Sequence, residues 1–443
     1  MERILLNDLI KWKKSKYRKP LILKGVRQVG KTWLLTEFGK RHYDNIAYFN
    51  FDEHGEYKQF FETTKDTKRI LQNLMMAGGQ PIEKERTLII FDEIQECGAA
   101  LSTLKYFCEN APEYHITCAG SLLGIALSKP ASFPVGKVDF LDIYPMTFTE
   151  FLKANGDENL LSFTDSIDDI SPVPDTFFNQ LNEKLKMYLI TGGMPESVSA
   201  WTSARDVERV QRVLSAILGA YERDFAKHTD KGDYPKVSLI WNSIPSQLSR
   251  ENKKFLYKVV KDGARAREYE YALQWLCDAN LIYKIYRSVA PGLPISAYDD
   301  LTAFKLYFAD VGLLRRHALL SPSAFSEGNR IFVEFKGALS ENYVLQSLRC
   351  QFEAIPRYWT VENPKYEVDF LIQRENDIFP VEVKSESNTE SRSLKRFAEK
   401  YADKTKLRIR FSLNNLRLDG NMLNIPLFLV DYTDKIIGIA LGR

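Results

Sequence analysis

The sequence predicts an α/β chain in three parts, and three observations carry that expectation. Strand and helix signals alternate over the first ~150 residues, the pattern of a parallel sheet with crossover helices. From about Asn179 the periodicity becomes helical. After about Phe335 it returns to a helix followed by short strands. With 443 residues the chain exceeds one ordinary core, so roughly two to four domains are expected. The boundaries read as 1–154, 174–325 and 330–443.

The first part has the clearest elements. Pro20–Lys24 is a short apolar run ending at a glycine, Lys31–Gly39 reads as a helix and Ile46–Phe51 as a strand. Thr87–Phe91 is almost wholly apolar, as a buried parallel strand is. Leu101–Glu109 reads as a helix and Tyr114–Ala119 as a further strand. The acidic, turn-rich stretch Gly156–Pro174 reads as a linker or loop insertion. In the middle part Glu251–Val260 and Ala264–Cys277 are candidate helices, followed by the apolar run Leu281–Tyr286. In the last part Phe335–Arg349 reads as a helix. Tyr358–Val361, Tyr366–Gln373 and Ile378–Lys384 follow as strands, then a charged helix, Ser391–Tyr401, and a strand, Lys406–Ser412.

Composition narrows the function classes. Apolar residues at 44% and charged residues at 27% describe a globular chain. A formal net charge of +3 gives no global attraction to nucleic acid, so any such surface must be local. Cys97, Cys108, Cys118, Cys277 and Cys350 form no C-x-x-C pair, and the five histidines have no ligand spacing. Neither a disulfide framework nor a zinc site is expected. The N-terminus has no signal-peptide pattern and no apolar run approaches the ~20 residues that span a bilayer. The expected location is the cytoplasm, without a membrane partner.

Gly25-Val26-Arg27-Gln28-Val29-Gly30-Lys31-Thr32 fits G-x-x-x-x-G-K-[ST] between a strand and a helix, the context a phosphate-binding loop needs. Main-chain N–H groups and the helix N-terminus would face the phosphates. Lys31 would bridge the β and γ phosphates, and Thr32 would ligate Mg²⁺. About 60 residues later, Leu88–Glu93 places four apolar residues before two acids. Asp92 would hold Mg²⁺ and Glu93 would polarise the attacking water. Together these imply a Mg-ATP site. Ser121 admits two readings, a contact to the γ-phosphate or water, and a helix N-cap. No arginine is assigned to the transition-state charge: Arg27, Arg223 and one supplied by a neighbouring subunit all remain open.

By these residues the chain resembles a prokaryotic family of AAA-like ATPases, in which an N-terminal P-loop domain joins a C-terminal domain of unknown function. The matching stretches are Arg18–Leu35, Leu88–Cys97, Ala119–Gly124, Tyr144–Leu152, Tyr188–Val198, Tyr221–Phe225, Lys305–Leu314 and Gly337–Leu348. One departure is Gly136-Lys137, where the family usually has glycine-arginine. Lysine keeps the charge but loses the planar fork. The resemblance implies an ATP-driven switch with a winged-helix-like middle. Ala264–Cys277 would then be a recognition helix, with Lys253, Lys254, Lys258, Lys261, Arg265 and Arg267 near phosphates. A structural helical connector with a solvated basic face is the competing reading.

The C-terminal pattern is similar to the restriction-endonuclease-like fold. Asp369 lies on one strand; Glu382 and Lys384, two apart, share a face of the next. Asp369 and Glu382 would hold Mg²⁺, Lys384 would orient water or stabilise phosphate charge, and Glu341 would support the metal from the helix. A plain salt bridge on a sheet face explains the same three residues. Two readings of the whole therefore stand: an ATPase controlling a nucleic-acid-directed, nuclease-like module, and a nucleotide-gated switch that binds protein.

Overall fold

The computed structural model describes residues 1–121, 123–128, 135–250, 253–322, 337–361, 366–384 and 391–442. The chain divides into two compact units, 1–144 with 275–281, and 145–274 with 282–443. No helix among the described residues is long and apolar enough to cross a membrane.

The first unit is built on five parallel strands: β1 (Leu21–Lys24), β2 (Asn45–Asn50), β3 (Thr87–Asp92), β4 (His115–Ala119) and β5 (Asp139–Asp142), in spatial order β2-β3-β4-β1-β5. β3 and β4 are buried along their whole length, which is why their sequences run apolar without alternation. Phe91 on β3 packs edge-on against Phe61 at 5.6 Å, and Phe51 lies 5.7 Å from the same ring. This is a P-loop NTPase arrangement. β1 sits between β4 and β5, so the loop leaving its carboxyl end opens at a switch in strand order, where α/β sheets place their ligands. Several elements were not anticipated, among them the helices Leu6–Lys14 and Thr67–Gly78 and the strand β5. The helix Leu6–Lys14 buries Leu6, Leu9 and Trp12, and β5 shows the weak half-buried pattern of an edge.

The second unit holds an eight-stranded mixed sheet. Its strands are β6 (Ile282–Ser288), β7 (Asp299–Phe308), β8 (Arg357–Thr360), β9 (Glu367–Arg374), β10 (Asp377–Val383), β11 (Arg408–Ser412), β12 (Arg417–Asp419) and β13 (Met422–Pro426). The order is β12-β13-β11-β10-β9-β8-β6-β7. The β6–β7 hairpin joins this sheet through β8, pairing Arg287 with Tyr358 and Ser288 with Trp359. Trp359 anchors a local core with Phe397, whose ring meets it edge-on at 5.1 Å.

Several expectations need correction. Gly156–Pro174 is not simply a linker: it contains the helix Glu158–Asp165, with Leu160 and Thr164 buried and Phe163 stacked on Phe177 at 4.2 Å. Of the candidate helix Glu251–Val260 only Tyr257–Val260 is helical, and 251–252 lie outside the described residues. The helix expected from Phe335 runs over Ala338–Gln351, and 335–336 likewise lie outside. The recognition-helix candidate spans Ala266–Asp278.

Candidate functional site

The loop after β1 owes its shape to its backbone. Gln28 (φ 65°) and Gly30 (φ 93°) take left-handed conformations, a device that turns successive N–H groups toward one concave side. A side chain at Gly25 would place its Cβ 2.3 Å from the Ile143 carbonyl oxygen, so only glycine fits that approach. Gly30 then opens the helix Lys31–His42.

Lys31 is almost wholly buried and folds over this loop, donating to the carbonyls of Gly25 (2.8 Å) and Val26 (2.9 Å). Burial pulls its ammonium down to about 8, against Glu93 and Asp92, which favour the charged form. The Thr32 hydroxyl donates to Asp92 Oδ2 at 2.8 Å across 60 positions of sequence. Two oxygens this close suit a small hard cation ligated directly or through water, so the residues fit Mg²⁺.

The neighbouring acid is held differently. Glu93 has φ 49°, which turns its carboxylate away from the strand direction. Its Oε2 accepts from Gln95 Nε2 (2.6 Å) and Ser121 N–H (3.0 Å), and its Oε1 accepts from the Ser121 hydroxyl (2.7 Å). Burial pushes this carboxyl up. The hydrogen bonds from Gln95 and Ser121, with the Lys31 charge, outweigh it and hold the group below the usual range. Ser121 thus takes a third role, holding Glu93. A Cβ on Gly120 would lie 2.1 Å from Gln95 Oε1, so a side chain there would push aside the amide that holds Glu93.

Tyr48 on β2 is a contact that sequence reasoning missed. Its phenol donates to Asp92 Oδ2 at 2.7 Å, the same oxygen that Thr32 reaches, and the residue stays 37% exposed. Nothing in the run Ile46–Phe51 marks it beyond an aromatic in a strand. Tyr48→Phe is expected to raise the Mg²⁺ concentration for half-maximal ATP turnover by roughly 3- to 10-fold, the worth of about one such hydrogen bond. A titration of Mg²⁺ at saturating ATP checks this, and an unchanged midpoint would make the hydroxyl passive. Lys137 pairs with Glu109 at 2.8 Å on the surface. Arg223 lies on the helix Val207–His228 of the second unit.

The C-terminal residues also come together. Asp369 Oδ2 accepts the Val383 N–H at 2.8 Å across the β9–β10 pair, and Lys384 Nζ meets Glu382 Oε1 at 2.6 Å. Glu341 receives the Lys253 ammonium and the Tyr307 hydroxyl (3.1 Å), and Lys305 binds Glu367. Burial raises the Asp369 carboxyl, and Glu341 raises it further. Glu341 is pushed up by burial, but Lys253 and Lys305 bring it below the ordinary value. Glu382 Oε2 is buried without a hydrogen-bond partner. An orphaned carboxylate oxygen beside a second acid fits a divalent cation at Asp369 and Glu382. Among the described residues no cluster of three or more His, Cys, Asp or Glu side chains forms a metal cage.

Lys305 and Tyr307 were missed. The signal was a lysine inside the apolar run Ala303–Phe308: such a residue is fully buried here and must be paired. Lys253, expected near phosphates, is spent on Glu341 instead. On the helix Ala266–Asp278, exposed Arg267 lies beside exposed Glu268 and Glu270, so that face is mixed in charge.

Three family models match in succession: an AAA domain over residues 17–152, a domain of unknown function (DUF8612) over 182–324, and another (DUF4143) over 336–429. An uncharacterized protein of Haemophilus influenzae is 26% identical over 397 residues, 85% of each chain. Similar solved structures include a Walker-type ATPase of Pyrococcus abyssi, at 16% identity and TM-score 0.45, covering 71% of this chain and 95% of that one. Another is the ORC1 protein of Aeropyrum pernix in complex with DNA, at 12% identity and TM-score 0.27, covering 74% and 91%. With its parallel sheet, loop and paired acids of the P-loop NTPase arrangement, the segment 17–152 is similar to the AAA domain whose model it matches.

Proposed function

We propose that this protein is a Mg-ATP-driven switch whose nucleotide state controls a nucleic-acid-directed, metal-dependent module in the second unit. The observation that carries the first half is the 2.8 Å contact between Thr32 and Asp92. It supports a triphosphate seated on the loop amides with Lys31 turning from the Gly25 and Val26 carbonyls to the β and γ oxygens. Bound magnesium would supply charge neutralisation at the phosphates. Glu93, ionised at neutral pH, would take the proton of the attacking water, with Ser121 and Gln95 fixing its orientation.

The second half rests on Asp369, Glu382 and Lys384 occupying neighbouring positions on β9 and at the end of β10, with one buried carboxylate oxygen unpartnered. Asp369 and Glu382 would hold the cation and Lys384 would face developing phosphate charge. A second reading, a nucleotide-gated protein-interaction switch, is favoured by the internal pairing of Glu341, Glu367 and Lys253 and by the mixed charge of the helix Ala266–Asp278.

Direct titration with Mg-ATP tests the base of both readings. Wild type is expected to bind and Lys31→Ala to lose most of that affinity; equal binding by both would remove the assignment. ATP turnover with and without DNA, and metal-dependent cleavage by wild type, Asp369→Ala and Lys384→Ala, then separate the two. Cleavage that survives both substitutions would sink the nuclease site. Absence of both cleavage and DNA stimulation would leave the protein-interaction switch.

A further inference from the structure

Arg3 stands just ahead of the helix Leu6–Lys14, where its carbonyl accepts the Leu6 N–H at 3.1 Å. Leu6, Leu9 and Trp12 of that helix are buried, so the backbone bearing Arg3 is anchored. The residue itself is only 6% exposed, and an arginine that deep needs acceptors for its donors. Its fork divides between two of them. Nη1 donates to the Val29 carbonyl at 3.0 Å, and Nη2 donates to the Tyr144 carbonyl at 2.6 Å. One side chain thus ties together the N-terminal segment, the loop after β1 and the turn that follows β5. The last two already touch. Ile143 N–H donates to the Lys24 carbonyl at 2.7 Å, and the Ile143 carbonyl lies against Gly25.

The peptide group explains what the contact does. A trans peptide is planar, with its C=O and N–H on opposite sides. Fixing the Val29 carbonyl on Arg3 therefore fixes the Gly30 N–H in the opposite direction, away from the guanidinium. Gly30 has φ 93° and caps the helix Lys31–His42 without a side chain to satisfy the first N–H groups. Those groups are what a helix N-terminus offers to an anion. Glycine restrains its own backbone less than any other residue does, so the direction of this N–H needs an outside hold. The lysine of the loop grips other carbonyls, those of Gly25 and Val26. Arg3 is the group that holds Val29.

We propose that Arg3 is a positioning residue of the nucleotide site: by holding the Val29 carbonyl it aims the Gly30 N–H at the β-phosphate of ATP or ADP, and through Tyr144 it locks the loop to the chain leaving β5. Arg3 acts through the peptide and touches no phosphate. This rests on the Mg-ATP reading above and adds the residue that sets the loop before nucleotide arrives. The β-phosphate is common to both nucleotides, so ATP and ADP are affected alike. An interaction made equally in the ground and transition states governs KM and leaves kcat unchanged.

Arg3→Met removes both donors. It is expected to raise the Kd for Mg-ATP and for Mg-ADP about tenfold each, the scale of one misaimed charge-assisted hydrogen bond, with kcat within about twofold of wild type. Arg3→Lys keeps the charge but has no fork to span two carbonyls, so it should recover only part of that affinity. Labelling with carbonyl-¹³C valine and ¹⁵N glycine reads the peptide directly, because Val–Gly pairs occur only at 29–30, 135–136 and 311–312. Single Val→Ile exchanges assign the three signals. Saturating Mg-ADP should shift the Gly30 amide strongly in wild type, and about half as far or less in Arg3→Met. Should Arg3→Met fail to fold, Arg3→Lys decides on the same two readouts, with a few-fold loss of affinity and a reduced shift expected. Wild-type affinity together with an unchanged Gly30 shift would overturn the proposal. So would full recovery by lysine, which would assign the effect to charge, or a fall in kcat with the Gly30 shift intact, which would make Arg3 a fold residue only. A wild-type protein that binds neither nucleotide would instead remove the Mg-ATP reading itself.

Discussion

Glu93→Gln is expected to bind Mg-ATP as wild type does and to hydrolyse it on the order of 10²–10⁴ times more slowly, the range lost with a general base. The geometry explains why binding should survive. Glutamine keeps an oxygen at the position that accepts from Gln95 Nε2 and the Ser121 N–H. Its amide nitrogen then takes the Oε1 position, where the Ser121 hydroxyl can rotate to accept. No buried donor is stranded, and neither the Thr32–Asp92 contact nor the loop amides change. What is lost is a basic lone pair on a carboxylate that its neighbours keep ionised. Phosphate release and nucleotide titration measured on the same preparation check both halves. Turnover within a few-fold of wild type would take the base role from Glu93, and a parallel loss of binding would assign it to the architecture of the pocket.

The nucleotide site was legible in the sequence because its parts are local. A glycine-bounded loop between an apolar strand and a helix needs no distant partner to be recognised, and β3 announces its two acids by ending four buried residues. Ser121 shows the limit. Its position after β4 was readable, but its hydroxyl turns to Glu93 because Glu93 adopts a left-handed backbone conformation that no periodicity predicts. Tyr48 was hidden for the same reason, since its partner Asp92 stands on the next strand in the sheet. At the C-terminal cluster the E-x-K spacing put Glu382 and Lys384 on one face, as found. The middle region's contribution was not legible. Joining β6–β7 to β8 is a pairing between segments some 70 residues apart, and Lys253 reached the acids from a stretch expected to be helical and solvated.

Asp310→Ala is expected to destabilise the second unit by about 3 kcal/mol or more, because it strands several buried donors at once. This carboxylate is where three of the recognisable sequence stretches meet. Its Oδ1 caps the helix Val311–His317 by accepting Leu313 N–H at 2.9 Å; its Oδ2 accepts the Gly193 N–H at 2.6 Å and the Gln346 amide at 3.4 Å. Gly192, at φ 70°, would bring a Cβ 2.2 Å from Oδ1, so the T-G-G turn is glycine by necessity. These motifs thus form a packing knot within the second unit. Asp310 also gives a pH signature. Burial lifts its carboxyl from 3.8 to about 6, the N–H donors notwithstanding. The folded state then holds the proton more tightly than the unfolded chain, so this group's contribution to stability falls as pH rises from about 4 to 6 and stays low above. Between pH 5 and 7 the loss is about 1 kcal/mol. Asp310→Asn cannot titrate, so the stability difference between wild type and Asp310→Asn should narrow by that amount across the same interval. Denaturant unfolding at both pH values measures it, and a difference that stays constant or widens would place the Asp310 carboxyl at an ordinary value and its burial in doubt.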